Sequence, residues 1–217
     1  MYNLVIKDLK LGINPWFLAL PFFTGALMLI PGWVYFIVIL YFFLISVPNI
    51  FAQFKAQNDL IFTTTLPVSR KDMVKAKVTV VVILELLHMV IAMLFGLLTI
   101  QLYPNESYFF FAPHMGFWGL CFVILAIFNI IFFPMYYKTA YKYGSATTAA
   151  ITATLLFSGG VQWLGIQNSF VFETFNGSGA DNIVLQITIL IAGIAIFTVF
   201  TIGACIIAIK RFGRLGI

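Results

Sequence analysis

Charge is the scarcest property of this sequence. Twelve Lys and Arg and seven Asp and Glu make up only 9% of its 217 residues, against roughly a quarter in an ordinary soluble chain. Hydrophobic residues fill 62% of positions, and mean hydropathy is +1.06. That balance excludes a soluble domain of this length and predicts an all-α, polytopic membrane protein. Six spans of roughly 20 residues would use over half the chain, so there is no room for a separate soluble catalytic domain. Residues 1–217 read as one transmembrane domain.

Other shortages exclude chemistry. There are two histidines, too few for a membrane metal hydrolase with three ligands and a base. No paired-carboxylate or Ser-His-Asp arrangement stands out, and no metal or cofactor is expected on this chain. No G-x-x-x-x-G-K-[ST] run occurs, so the chain has no P-loop to cradle nucleotide phosphates. Nucleic acid is not among the expected partners. Cys121 and Cys205 lie in apolar runs near opposite membrane faces, beyond the roughly 4.4–6.8 Å Cα separation of a disulfide. No A-x-A site follows the run after Lys7 and Lys10, so the first span should remain as an anchor.

What is present is long apolar runs with legible punctuation. Asn3, Lys7, Lys10 and Asn14 share one helical face, and Leu4, Val5, Leu9 and Ile13 cluster opposite. That pattern suits an N-terminal interfacial helix, or a frayed start to the first span. Spans are predicted over 14–30, 33–54, 70–102, 116–137, 144–164 and 183–209. Pro21 should kink the first, Pro31-Gly32 should make a tight outer turn, and Pro48-Asn49 should interrupt the second. The third, at 33 residues, reaches about 50 Å, more than the membrane core of about 30 Å, so its foot should project into the cytosol. The fifth is rich in Ala, Ser and Thr and should sit at the bundle centre or at a subunit contact. On this map all twelve cations fall on one side, and residues 103–115 and 165–182 form cation-free loops on the other. The positive-inside rule then puts both termini in the cytosol.

The stretch from Lys55 to Lys77 organises the rest. It holds five of the twelve cations and two of the seven acids. Asn58 or Asp59 can cap a short helix over 59–65, with Leu60, Ile61 and Phe62 as an apolar triplet. Pro67 disfavours helix at Leu66. Ser69 starts again, with Asp72 three residues on as a capping box. The plain alternative is a solvated loop between two spans. Inside the membrane, Glu85 and His88 lie at i, i+3 on one face and can hydrogen-bond. Ionisable groups at that depth mark a candidate translocation path, as contacts for a cationic or amphipathic substrate or as a proton-sensitive pair. The alternative is a locally satisfied polar pair.

Two segments carry a family resemblance. Thr65–Lys77, TLPVSRKDMVKAK, resembles the "LPvsRkdiVkaK" segment between the second and third spans of small bacterial ABC-2 type permeases. Phe133-Pro134-Met135-Tyr136-Tyr137-Lys138, followed by Tyr141, is similar to that family's "PlyfkfGy" segment, although Thr139-Ala140 replaces the usual Phe-Gly. Among such permeases the chain most resembles the membrane subunit of phenol-soluble-modulin-type peptide exporters. The resemblance implies a six-span permease subunit in a bacterial cytoplasmic membrane, paired with an identical or related permease. Two separate ATP-binding cassette ATPases would bind ATP and Mg and drive an amphipathic peptide, lipid or hydrophobic compound outward. It also implies a cytosolic coupling helix, with Asp59, Leu60, Ile61, Phe62, Leu66, Pro67, Ser69 and Arg70 as the ATPase-coupling residues. The competing class is an ATPase-independent membrane protein: a secondary transporter, channel or scaffold.

Overall fold

A computed structural model describes residues 1–11, 13–104, 108–139, 142–177 and 179–214, without the side chains of Leu11, Leu60 and Asp181. These residues form ten α-helices and no strand. An N-terminal helix, α1 (Tyr2–Leu11), precedes the apolar α2 (Trp16–Gly25), which tightens into a 3-10 turn over Ala26–Leu29. The second span is α3 (Phe36–Tyr41) and α4 (Val47–Ala56), joined by a π-helical turn at Phe42–Ser46. Pro48 explains that turn: it brings no N–H to the helix ladder, and the wider π geometry absorbs the gap. The Asn49 side chain donates to the Ile45 carbonyl at 2.6 Å, satisfying one acceptor beside the break.

The short α5 (Asp59–Thr65) leads into α6 (Arg70–Leu102), then α7 (Met115–Lys138), α8 (Tyr143–Gln167), α9 (Ser169–Asn176) and α10 (Ala180–Gly213). The bounds of α6 are those its Ser69 cap and its hydropathy predict. Five helices are long and apolar enough to cross a membrane, with the α3–α4 unit counted as one. The expected first span is the exception. Trp16–Leu29 has only 14 residues, roughly 23 Å at the usual α and 3-10 rises, which falls short of a 30 Å core. Pro15 and the Pro31-Gly32 turn bound this apolar run and shorten it. It still joins the two ends of the bundle. Asn14 and Pro15 lie beside Gln53 and Gln57, and the Met28 carbonyl accepts from Thr99 Oγ1 at 2.6 Å near the far end of α6.

Two packing features fix the rest. The parallel helices α7 and α10 cross at Gly119 and Gly193. A Cβ on Gly119 would stand 2.5 Å from the Ile189 carbonyl oxygen, and one on Gly193 would collide with the Gly119 carbonyl. Only glycine lets these backbones approach so closely. At the centre, Phe43, Phe128, Phe132 and Tyr136 form a stacked aromatic column, with Phe43 and Phe128 at 4.0 Å. The Phe133–Lys138 segment therefore belongs to the last turns of α7, where Phe133, Pro134, Tyr136 and Tyr137 are buried; Tyr141 lies outside the described residues.

The fifth span is not central within this chain. Only one stripe of α8 is buried, including Thr147, Ala150, Thr154, Ser158 and Gln162, while Leu155, Leu156 and Trp163 face outward. The inward stripe is made of small and polar residues, as close packing against α7 requires, while Ser145, Thr148, Thr152, Gly159 and Gly160 also face outward. At the end of the bundle away from the foot of α6, Asn176 ties α9 to residues 110–112 by bonds to Ala112 N and the Phe110 carbonyl.

Candidate functional site

The foot of α6 gathers four helices. Ser69 adopts extended geometry and its hydroxyl oxygen accepts from Asp72 N at 3.1 Å, so the expected cap forms. The reciprocal half differs: the Ser69 hydroxyl donates to the Asp72 carboxylate at 2.8 Å. Leu66 is extended at φ −78° and ψ 150° and ends α5, as Pro67 demands. Leu66 and Val68 pack against the core while Pro67 stays exposed, so the turn is anchored from both sides of the proline. The Arg70 guanidinium lies 5.9 Å from the Phe212 ring, which links the start of α6 to the end of α10.

The start of α5 departs from expectation. Asn58 holds the N-cap position in the left-handed region, φ 50°, and neither it nor Asp59 caps the helix by side chain. Asn tolerates that geometry better than most residues. The Asp59 carboxylate is drawn elsewhere. It pairs with Lys7 of α1 at 2.6 Å and Lys77 of α6 at 2.7 Å. Asp8 completes the ring, 3.0 Å from both lysines. Lys7 also donates to Thr63 Oγ1 at 2.8 Å, and Lys77 stands 3.0 Å from the centroid of the Phe54 ring. Two cations and two anions thus alternate, with side chains between 3% and 15% exposed, and hold α1, α5 and α6 together against α4.

The electrostatics follow from that geometry. Burial alone would raise the Asp59 carboxyl, but the Lys77 charge and the hydrogen bonds of Lys7 and Lys77 outweigh it and hold it below its ordinary value. Burial alone would lower the Lys7 ammonium, but bonding to Asp59 and Asp8 outweighs it and raises Lys7. The network borders a cleft of about 200 Å³ with Phe54 and Tyr136 among its walls.

With its base held this way, α5 turns an apolar face outward. Ile61 is 65% exposed and Phe62 56% exposed; the Leu60 side chain lies outside the described residues. The short helix, the break and the capped start of α6 were legible from sequence; the expected side-chain cap on α5 does not form. Lys7, Asp8 and Lys77 were not recognised as parts of the site. The available signal was scarcity: Asp8 and Asp59 are two of only seven acids, both set among cations at the same membrane face.

Glu85 and His88 share a buried face of α6, at 0% and 1% exposure, but do not bond to each other. Asn129 of α7 donates to Glu85 Oε2 at 2.9 Å and to Thr201 Oγ1 of α10 at 3.2 Å. His88 Nε2 donates to the Val38 carbonyl of α3 at 2.9 Å. The expected pair is two separate helix ties, because the side chains diverge toward different neighbours. Neither is exposed to a path in this conformation. His88 fills its position as a structural donor, next to Phe42 at 5.5 Å.

No curated protein and no solved structure matches the chain. The ABC-2 family transporter protein family does match, over residues 3–212. That range takes in every helix from α1 to α10, including the capped foot of α6 and the α7 segment that carried the resemblance. The chain is a multi-pass membrane protein belonging to the ABC-2 transporter family.

Proposed function

We propose that this chain is the permease subunit of an ATP-driven exporter, of the kind that serves phenol-soluble-modulin-type peptides. ATP and Mg would be bound by a separate ATP-binding cassette ATPase, and a second permease, identical or related, would complete the membrane unit. The subunit crosses the bacterial cytoplasmic membrane six times with both termini cytosolic, the short α2 serving as the first pass. Its ends reach both ends of the bundle, which supports that count. Few charges line the spans, which favours an amphipathic peptide, lipid or hydrophobic compound as cargo over a hydrophilic one.

One observation carries the coupling role: α5 is fixed at its base by the ring of Lys7, Asp8, Asp59 and Lys77, yet exposes Ile61 and Phe62. A helix made only to connect spans would have no reason to hold bare aromatic surface at the aqueous foot of the protein. An ATPase gripping that face moves α5, and the ionic ring passes the motion to the start of α6. Asp59, Leu60, Ile61 and Phe62 form the docking element in this reading; Leu66, Pro67, Ser69 and Arg70 fix its angle to α6.

The test is ATP hydrolysis and transport measured together in reconstituted complexes. Phe62→Ala should weaken ATPase association by about 2 kcal/mol, the usual scale of an aromatic anchor, without altering the fold of the permease. Arg70→Ala, which loses the contact with Phe212, should leave the complex assembled but poorly coupled. Normal association and a normal export-to-ATP ratio in both variants would reduce the 55–77 stretch to a connecting loop.

A further inference from the structure

Glu85 is fully buried in the middle of α6, and no cation among the described residues pairs with it. The neighbouring elements offer none. On α1, Lys7 and Asp8 are engaged at the foot with Lys77, and α2 carries no ionisable group. On α3 the ionisable group is Tyr41, on α7 Cys121, Tyr136 and Tyr137, and on α10 Cys205; Lys10, Lys138, Asp181, Lys210 and Arg211 lie at helix ends. His88, one turn away, is committed to Val38. An ionised carboxylate at this depth would keep its charge with only an amide for company, which is far costlier than a neutral acid.

The hydrogen-bond geometry accommodates a neutral acid. With Asn129 Nδ2 donating to both Glu85 Oε2 and Thr201 Oγ1, two buried acceptors are left without partners: Glu85 Oε1 and Asn129 Oδ1. The amide oxygen and nitrogen of Asn are interchangeable on heavy-atom positions. Exchanging them lets Asn129 Oδ1 accept hydrogen bonds from a protonated Glu85 at 2.9 Å and from Thr201 at 3.2 Å, with every atom where it stands; Glu85 Oε1 stays without a partner, and the amide nitrogen takes the other unpartnered position. That arrangement buries no charge, and it requires a carboxylic acid at position 85.

We infer that Glu85 binds a proton in the folded transporter and, as a neutral acid, donates it to Asn129, so that an uncharged node of Glu85, Asn129 and Thr201 joins α6, α7 and α10 at mid-membrane. The site's ligand is a proton, not a transported solute. Its place on α6, between the ionic ring at the foot and Thr99 at the far end, makes it the tie between the lever helix and the α7–α10 pair. Losing the proton would charge the node and require the Asn129 amide to turn its N–H to Glu85.

The test is infrared difference spectroscopy of the full-length chain in lipid nanodiscs at neutral pH, wild type against Glu85→Gln. The expected result is the C=O stretch of a protonated carboxylic acid in wild type, lost in the isosteric amide. Asn129→Leu should keep the band and move it to higher wavenumber, because the acid loses its acceptor; Thr201→Val should shift it without removing it. Should Glu85→Gln fail to fold, these two variants carry the test alone. A Glu85 signal in the carboxylate region, or an acid band unmoved by both neighbouring substitutions, would overturn the node. A thermal midpoint that rises with sodium in wild type but not in Glu85→Gln would overturn the proton as ligand in favour of a metal cation.

Discussion

Asp59→Asn is the sharpest perturbation of the foot of α6. The amide keeps the shape of the side chain and removes its charge. Lys7 and Lys77 then share Asp8 alone, and the ring changes from neutral to singly positive. Asp59 loses ion pairs of 2.6 and 2.7 Å, with its side chain 13% exposed. Removing one partner from a fully buried pair costs about 3–5 kcal/mol, whereas an exposed pair contributes about 0–1 kcal/mol. The ring stands nearer the buried limit but opens onto a cleft, so about 2–3 kcal/mol is expected. Thermal unfolding in nanodiscs, in a double-mutant cycle with Lys77→Met, isolates the pair from the rest of each side chain. The wild-type pH profile gives a second check. Asp59 is held below its ordinary value of 3.8, so its contribution is complete above that pH and disappears as pH falls through the lowered value. Lys7 is held above its ordinary 10.5, so its contribution is complete below that pH and is lost as pH rises through the raised value. The contributions of Asp59 and Lys7 should therefore be flat between these two ordinary values. A loss under about 0.5 kcal/mol in Asp59→Asn, the scale of a solvated pair, or a midpoint falling near neutral pH in step with the ring, would refute the reasoning.

Three further outcomes follow from packing and topology. Gly193→Val puts side-chain atoms against the Gly119 carbonyl and should cost at least about 1–3 kcal/mol, read as reduced thermal stability and parting of the α7–α10 crossing in cross-linking. Ala150→Leu, at a position with 0% exposure, should lower stability by about 1–3 kcal/mol, while Ala153→Leu on the half-buried flank should cost less; equal effects would place the α8 stripe wrongly. In a variant with Cys121 and Cys205 replaced by Ser, a Glu173→Cys label should react with an impermeant thiol reagent from outside and a Lys71→Cys label only from the cytosol. Reversed labelling would invert the orientation.

The sequence made some elements legible almost residue by residue, and each of these is local. Ser69, Asp72 and the run that follows define the start of α6 with its cap, and Pro67 ends α5 at Thr65, with Leu66 as the C-cap. The apolar faces of Ile61 and Phe62 were also visible as an interruption in a charged stretch. Asn58 misled, because a residue suited to capping also suits left-handed backbone, and propensity does not choose between the two. The length of α2 was not legible, because hydropathy measures apolar content, whereas Pro15 and Pro31 limit the helix to Trp16–Leu29 with its 3-10 turn.

By itself the sequence determined that the chain lives in a membrane, where its long helices begin and end, and which end of the bundle carries the cations. These depend on composition, periodicity and capping, all properties of neighbours along the chain. Tertiary structure alone decided which polar groups meet. Lys7 finds Asp59 across 52 positions, and Asn129 finds Thr201 across 72. Glu85 and His88, adjacent on one turn, part toward α7 and α3. In so apolar a chain each buried polar group must take whatever partner the packed helices bring within about 3 Å. That choice is set by helix crossings such as Gly119 on Gly193, and no spacing in the sequence encodes it.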